Sequence, residues 1–134
     1  MGIIQIKKIE FSQDDRGWSI KPITDEEIKT GKISEIHMVS MRQGAVRGNH
    51  YHINKTEYVL TVGGPFRVVI MDNNTKKKEE KTIVDKTLLV IPPNVTHAIE
   101  NIGSNISYLF CYSKTNKCLS GHDVVINEII QKSM

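Results

Sequence analysis

The chain has 134 residues, 39% of them hydrophobic, with 18 Lys and Arg against 15 Asp and Glu and a net charge of +3 with histidine neutral. A chain of this length buries a core without disulfides or a structural metal, so any metal it holds is expected to be functional. The small charge, the scattered three Phe, four Tyr and one Trp, and the lack of a long apolar run argue against a nucleic-acid partner and against a membrane span.

In chain order, the N-terminal stretch Met1 to Lys8 lacks the layout of a signal peptide, and Ile6 stands where a myristoylation signal wants Ser or Thr. The expected location is cytoplasmic. Cys111 and Cys118 are then expected to stay as thiols, and the N-x-[ST] triplets at Asn54, Asn73, Asn94 and Asn105 carry no glycosylation signal. Short β-rich runs punctuated by Gly, Pro, Asn and Asp predict strands over 3–9, 18–23, 33–41, 48–52, 56–62, 66–72, 80–84, 87–91, 97–101 and 106–112. One short helix is predicted over 24–31, with Thr24 as its N-cap and Gly31 just past its end. The mixed-charge run Lys76 to Lys81 reads as a solvated hairpin tip, and the apolar tail carrying Val124, Val125, Ile126, Ile129 and Ile130 is expected to pack on the body or on a second subunit. Together these features predict one all-β domain over 1–134, a single small sandwich or barrel.

Three of the five histidines fall in two restrictive clusters. His50 and His52 are two apart, so in a strand both imidazoles face one point, and Glu57 arrives from the following segment. A Pro-rich turn, Ile91-Pro92-Pro93-Asn94-Val95-Thr96-His97, delivers a further imidazole. Three neutral imidazoles and a carboxylate suit one divalent transition metal, Zn, Fe, Mn, Co or Ni, with positions left for water or substrate.

Gly44, His50, His52, Glu57 and Gly64 match the first motif of the cupin superfamily at every defined position. The second is matched at Pro92, His97 and Asn101, with Lys86 and Asn94 where the superfamily has glycine. The chain therefore resembles a cupin, which implies a small jelly-roll β-barrel with His50, His52, Glu57 and His97 converging on a metal in its mouth. Asp14-Asp15-Arg16-Gly17-Trp18 and Arg47-Gly48-Asn49-His50 are similar to segments of the sugar-nucleotide 3,5-epimerases and 3,4-ketoisomerases. The segment from Arg47 to His52 and the run Ile91 to Asn101 resemble the C-terminal cupin of capsular-polysaccharide UDP-sugar reductase/epimerases.

This likeness implies epimerisation or isomerisation of a nucleotide-diphosphate 4-keto-6-deoxy sugar in polysaccharide or glycoconjugate synthesis. Arg16 and Arg47 would grip the diphosphate through their planar forks. His37, in the strand before the first motif, is the candidate free base, and His122 is expected to be solvated. Phe110 stands where the epimerases carry a tyrosine acid, so Tyr108 or Tyr112 would have to replace it, and Leu60 stands where they carry a lysine. Two other readings stay open: an Fe(II)-dependent cupin dioxygenase, and a non-catalytic sugar- or metal-binding module. A homodimer is expected, through the strand at 3–9 and the tail at 124–130.

Overall fold

The computed structural model describes residues 2–115 and 123–131; Cys118 and His122 lie outside the described residues. Within them run twelve strands and one helix: β1 (Gln5–Lys8), β2 (Phe11–Asp14), β3 (Gly17–Ile20), α1 (Asp25–Thr30), β4 (Ile33–Met41), β5 (Val46–His52), β6 (Lys55–Val62), β7 (Phe66–Asp72), β8 (Lys78–Ile83), β9 (Thr87–Ile91), β10 (Val95–Asn101), β11 (Ser107–Thr115) and β12 (Val124–Ile126). Their sequence is rich in Val, Ile, Tyr and Thr, which pack well on a pleated surface. The helix forms because its ends are capped. Thr24 Oγ1 accepts from the Glu27 N–H at 3.1 Å, Glu27 Oε1 accepts from the Thr24 N–H at 3.0 Å, and Gly31 closes the last turn at φ 67°.

Two antiparallel five-stranded sheets, ordered β1-β9-β6-β11-β4 and β12-β5-β10-β7-β8, pack face to face, and β2-β3 makes a separate hairpin. Alternate residues of both sheets meet between them: Val59, Leu89, Ile91 and Leu109 from the first, Val68, Ile70, Val95 and Ile99 from the second. Each such side chain contributes about 1.5–3 kcal/mol on burial. A smaller core of Leu60, Leu88 and Tyr112 lies on the outer face of the first sheet under α1 and the hairpin. No helix among the described residues is long and apolar enough to cross a membrane.

The single strand expected at 3–9 is shorter, and a hairpin not foreseen follows it. Asp14 makes the turn: Oδ1 accepts from the Arg16 N–H at 2.9 Å, reversing the chain before β3. Lys86 holds the hairpin to the body, its ammonium lying 4.4 Å from the Trp18 ring centroid and 4.9 Å from that of Phe11. Lys86 and Asn94, which replace motif glycines, adopt φ 59° and 65°, so the backbone keeps the left-handed conformation despite the side chains. Motif residue Asn101 is fully buried and donates to the Met41 and Asn105 carbonyls, both at 2.9 Å.

The tail packs on its own chain. β12 pairs with β5, Asn127 Nδ2 donates to Thr96 Oγ1, and Ile130 is buried against Val69 and Ala98 on the outer face of the second sheet. β1 likewise pairs with β9 of the same chain. Both segments expected at a dimer interface are thus engaged internally.

Candidate metal and substrate site

The site starts from an irregularity in β5. β10 pairs His97 with His50 and then Ala98 with Gly48, so Asn49 is an extra residue on β5. Gly48 at φ 93° and Asn49 at φ 57° supply the left-handed backbone this bulge requires. A Cβ on Gly48 would lie 2.6 Å from the His97 carbonyl oxygen, so only glycine fits. In a regular strand Arg47 and His50 would face opposite sides. The bulge reverses the alternation, and Arg47, His50 and His52 all border cavities on the inner side.

Glu57 on β6 is the centre of the cluster. Its Oε2 lies 2.7 Å from His52 Nε2 and 3.9 Å from His50 Nε2, and its Oε1 lies 3.7 Å from His97 Nε2. Burial opposes ionisation of Glu57, but the three imidazoles outweigh it and hold its carboxyl well below the usual carboxylate range. Burial also disfavours a proton on His97, yet Glu57 overcomes it and moves that imidazole upward.

His97 Nδ1 sits 3.2 Å from the Val95 carbonyl, the only hydrogen-bond role open to that nitrogen being donation. Its Nε2 therefore faces Glu57, and among the described residues neither this atom nor His50 Nε2 has a hydrogen-bond partner. The candidate ligand atoms of His50, Glu57 and His97 all lie within 4.8 Å of one another. Buried nitrogens left idle around a carboxylate fit a divalent metal, and His52 can join through Nε2.

Two adjoining cavities of about 220 Å³ each reach this cluster. One is walled by Val39, Val59, Ile99, Leu109 and Cys111 opposite His37, Arg47, His50, Glu57 and His97. The other is bordered by Glu35, His37, His52 and Ser113. His37, half exposed on edge strand β4, lines both, with Nδ1 3.3 Å from Glu35 Oε1. Arg47 stands at the mouth, where Nη2 donates to the Ser40 carbonyl at 3.0 Å. Burial pushes the Cys111 thiol up, so it is a neutral wall residue.

Tyr108 and Arg16 are not brought to the cluster, and Tyr112 reaches only the border of the second cavity. Tyr108 and Tyr112 alternate with Leu109 and Cys111 along β11, so they face the outer side of the first sheet. Although Tyr112 borders the second cavity, its ring stacks on Tyr58 with centroids 4.6 Å apart, and its hydroxyl donates to Glu27 Oε2 at 3.1 Å in the outer core. Arg16 is in the exposed β2-β3 turn, paired with Asp14, and borders neither cavity of the cluster. One residue went unnoticed in the sequence. Asp123, buried, accepts the Ile53 and Asn54 N–H groups on Oδ1, both at 2.9 Å, and points Oδ2 at His52 Nδ1, 3.6 Å away. No spacing rule ties it to His52, because the contact joins distant parts of the chain.

Two five-stranded sheets packed face to face, with the His50, His52, Glu57 and His97 cluster between them, make the cupin fold. Residues 12–120 match the family described as the polysaccharide biosynthesis C-terminal domain, and the chain belongs to that family. No curated protein matches the chain significantly. Among solved structures, the dTDP-4-dehydrorhamnose 3,5-epimerase of Bacillus anthracis with TDP and pyrophosphate superposes at a TM-score of 0.70, with 15% identity, over 90% of this chain and 76% of that one. A point mutant of the 3,4-ketoisomerase QdtA of Thermoanaerobacterium thermosaccharolyticum, bound to TDP-4-keto-6-deoxyglucose, gives 0.72 and 13% identity over 95% and 89%. The dTDP-6-deoxy-D-glucose-3,5-epimerase of Legionella pneumophila in complex with dTDP-4-keto-L-rhamnose gives 0.70 and 13% over 87% and 69%. At these identities the likeness is one of fold.

Proposed function

We propose that the chain is a cytoplasmic, metal-dependent epimerase or ketoisomerase of a nucleotide-diphosphate 4-keto-6-deoxy sugar in polysaccharide or glycoconjugate synthesis. The observation that carries this reading is the set of idle imidazole nitrogens around Glu57, on the floor of a cavity rimmed by His37 and Arg47. The cavity suits one sugar ring, and the fold is shared with structures bound to TDP and to TDP-keto-sugars.

His50, His52, Glu57 and His97 would hold one divalent ion, Zn, Fe, Mn, Co or Ni, which when bound supplies a Lewis acid for the keto oxygen. Arg47 binds the diphosphate at the mouth, and Arg16 has no place at the site within one subunit. His37, oriented by Glu35 at Nδ1, takes the proton from the carbon beside the ketone on Nε2, leaving an enolate. The reaction is completed when a proton from solvent returns to carbon: to the same carbon on its opposite face for epimerisation, or, for ketone migration, to the former keto carbon while the neighbouring hydroxyl passes its proton to the former keto oxygen and becomes the ketone. No oxidant or reductant enters.

A homodimer belongs to this reading, supported by the exposed Ile36 and Met38 on β4 and Tyr108 on β11; sedimentation at micromolar concentration tests it. The activity is tested by incubating the metal-analysed protein with UDP- and dTDP-4-keto-6-deoxy sugars in heavy water. Deuterium at the carbon beside the ketone is expected. Oxygen consumption with Fe(II) and no deuterium uptake would establish the dioxygenase reading instead, and binding without turnover the non-catalytic one.

A further inference from the structure

We infer that the apolar wall made by Val59, Leu109 and Cys111 sets the specificity of the site: it receives the C6 methyl group of the sugar and discriminates against a sugar with a hydroxyl there. The identity of the ligand rests on the epimerase or ketoisomerase reading, whereas the wall follows from strand register. Cys111 on β11 pairs with His37 on β4 and with Val59 on β6, and Leu109 pairs with Val39 on β4. On the inner face His37, Cys111 and Val59 therefore form one row, and Val39 and Leu109 belong to the next. Val59 follows Glu57 by two residues on the same face of β6, so the row lies directly beside the cluster.

A hydroxyl placed on this wall finds little to bond. Val39, Val59, Ile99 and Leu109 carry no polar side-chain atom, and the Cys111 thiol is neutral and a weak partner. The peptide groups of β11 behind them are spent in pairing with β4 and β6. The polar side chains bordering the same cavity are Arg47, His50, His97, Glu57 and His37, which the proposed reaction gives to the diphosphate, the ketone and the proton. A pyranose with its diphosphate at Arg47 and its C4 ketone at the cluster has two edges. C2 and C3 with their polar substituents form one, and C5, C6 and the ring oxygen form the other. In a 6-deoxy sugar only the second edge lacks a hydroxyl, so only it can lie on the wall without burying an unpaired one. C6 is two bonds from the keto carbon, which brings the methyl to the row of Cys111 and Val59 rather than to the mouth.

The test is read by binding, with the full-length chain and whichever nucleoside diphosphate, UDP or dTDP, it holds more tightly. Calorimetry compares the esters of that nucleotide with 6-deoxyglucose and with glucose, which differ only by the hydroxyl on C6. The 6-deoxy ester is expected to bind about 10–100-fold more tightly, the range a hydrophobic pocket reaches against an added hydroxyl. Cys111→Ser and, independently, Val59→Thr put a hydroxyl on the wall at nearly constant volume. In each, the ratio is expected to fall about fivefold or more, while affinity for the nucleoside diphosphate alone stays that of the wild type. Equal affinity of the wild type for the two esters overturns the inference and leaves the sugar-nucleotide reading standing. An unchanged ratio in both variants, with nucleoside diphosphate bound as in the wild type, overturns it equally. Failure of the wild type to bind either ester sinks the sugar-nucleotide reading and the inference with it.

Discussion

Two carboxylates sit one layer apart on opposite faces of the first sheet, and their surroundings differ in kind. Glu57, on the inner face, is ringed by three imidazoles, each of which keeps one buried nitrogen without a hydrogen-bond partner among the described residues. Glu27, reaching the outer face from α1, is completely used: it accepts from the Thr24 N–H, from Lys114 Nζ at 2.7 Å and from the Tyr112 hydroxyl. Burial opposes the Glu27 charge, yet these donors bring its carboxyl down to about 2. A saturated network is a fastening, whereas an unsaturated one with a cavity above it is prepared for something not supplied by the chain.

The contrast breaks or sharpens under substitution. Glu57→Gln keeps the shape but removes the charge, and metal affinity is expected to fall by more than about 100-fold, beyond the loss typical of a residue that only orients a ligand; equilibrium dialysis with elemental analysis measures it. Full metal retention would end the distinction between the two clusters. Gly48→Ala forces a Cβ into the His97 carbonyl at a left-handed φ, and a loss of about 3 kcal/mol together with metal affinity is expected in chemical denaturation.

Glu27→Gln should leave metal affinity alone and lower stability by about 2 kcal/mol at neutral pH. The sign follows from the depressed carboxyl: its stabilisation is complete above the ordinary value of 4.5 and is lost as pH falls toward about 2. The difference in melting temperature between wild type and Glu27→Gln is therefore expected to close over that window. Tyr112→Phe, the mildest change, should cost about 1 kcal/mol and spare deuterium exchange on a keto-sugar. Abolished exchange in a stable Tyr112→Phe would return that residue to the catalytic set.

Much of the inner cluster was legible because its residues are close in sequence or framed by turn residues: His50, His52 and Glu57 lie on two strands consecutive in the chain, β5 and β6, which face each other from opposite sheets, and Pro92-Pro93 announces His97. The helix caps Thr24 and Gly31 were legible for the same local reason. β11 was not. It reads Tyr108-Leu109-Phe110-Cys111-Tyr112, apolar on both faces because the inner one meets the main core and the outer one meets the smaller core from Phe110 to Tyr112, so alternation could not say which side meets the cavity. Trp18 and Arg16 form part of a hairpin whose fastening to Lys86 is a long-range contact, invisible to spacing. Asp123 is hidden in the same way, its partners lying on the far side of the chain.

The bulge at Gly48 and Asn49 acts as a parity switch for the molecule. One extra residue decides whether the guanidinium of Arg47 shares a room with the imidazoles or is turned out of it. Deleting Asn49 would leave every remaining side chain chemically intact and every strand in place by name. It would nonetheless separate the Arg47 guanidinium from the imidazoles, so a count of residues, rather than their identity, is what brings these two groups to one cavity.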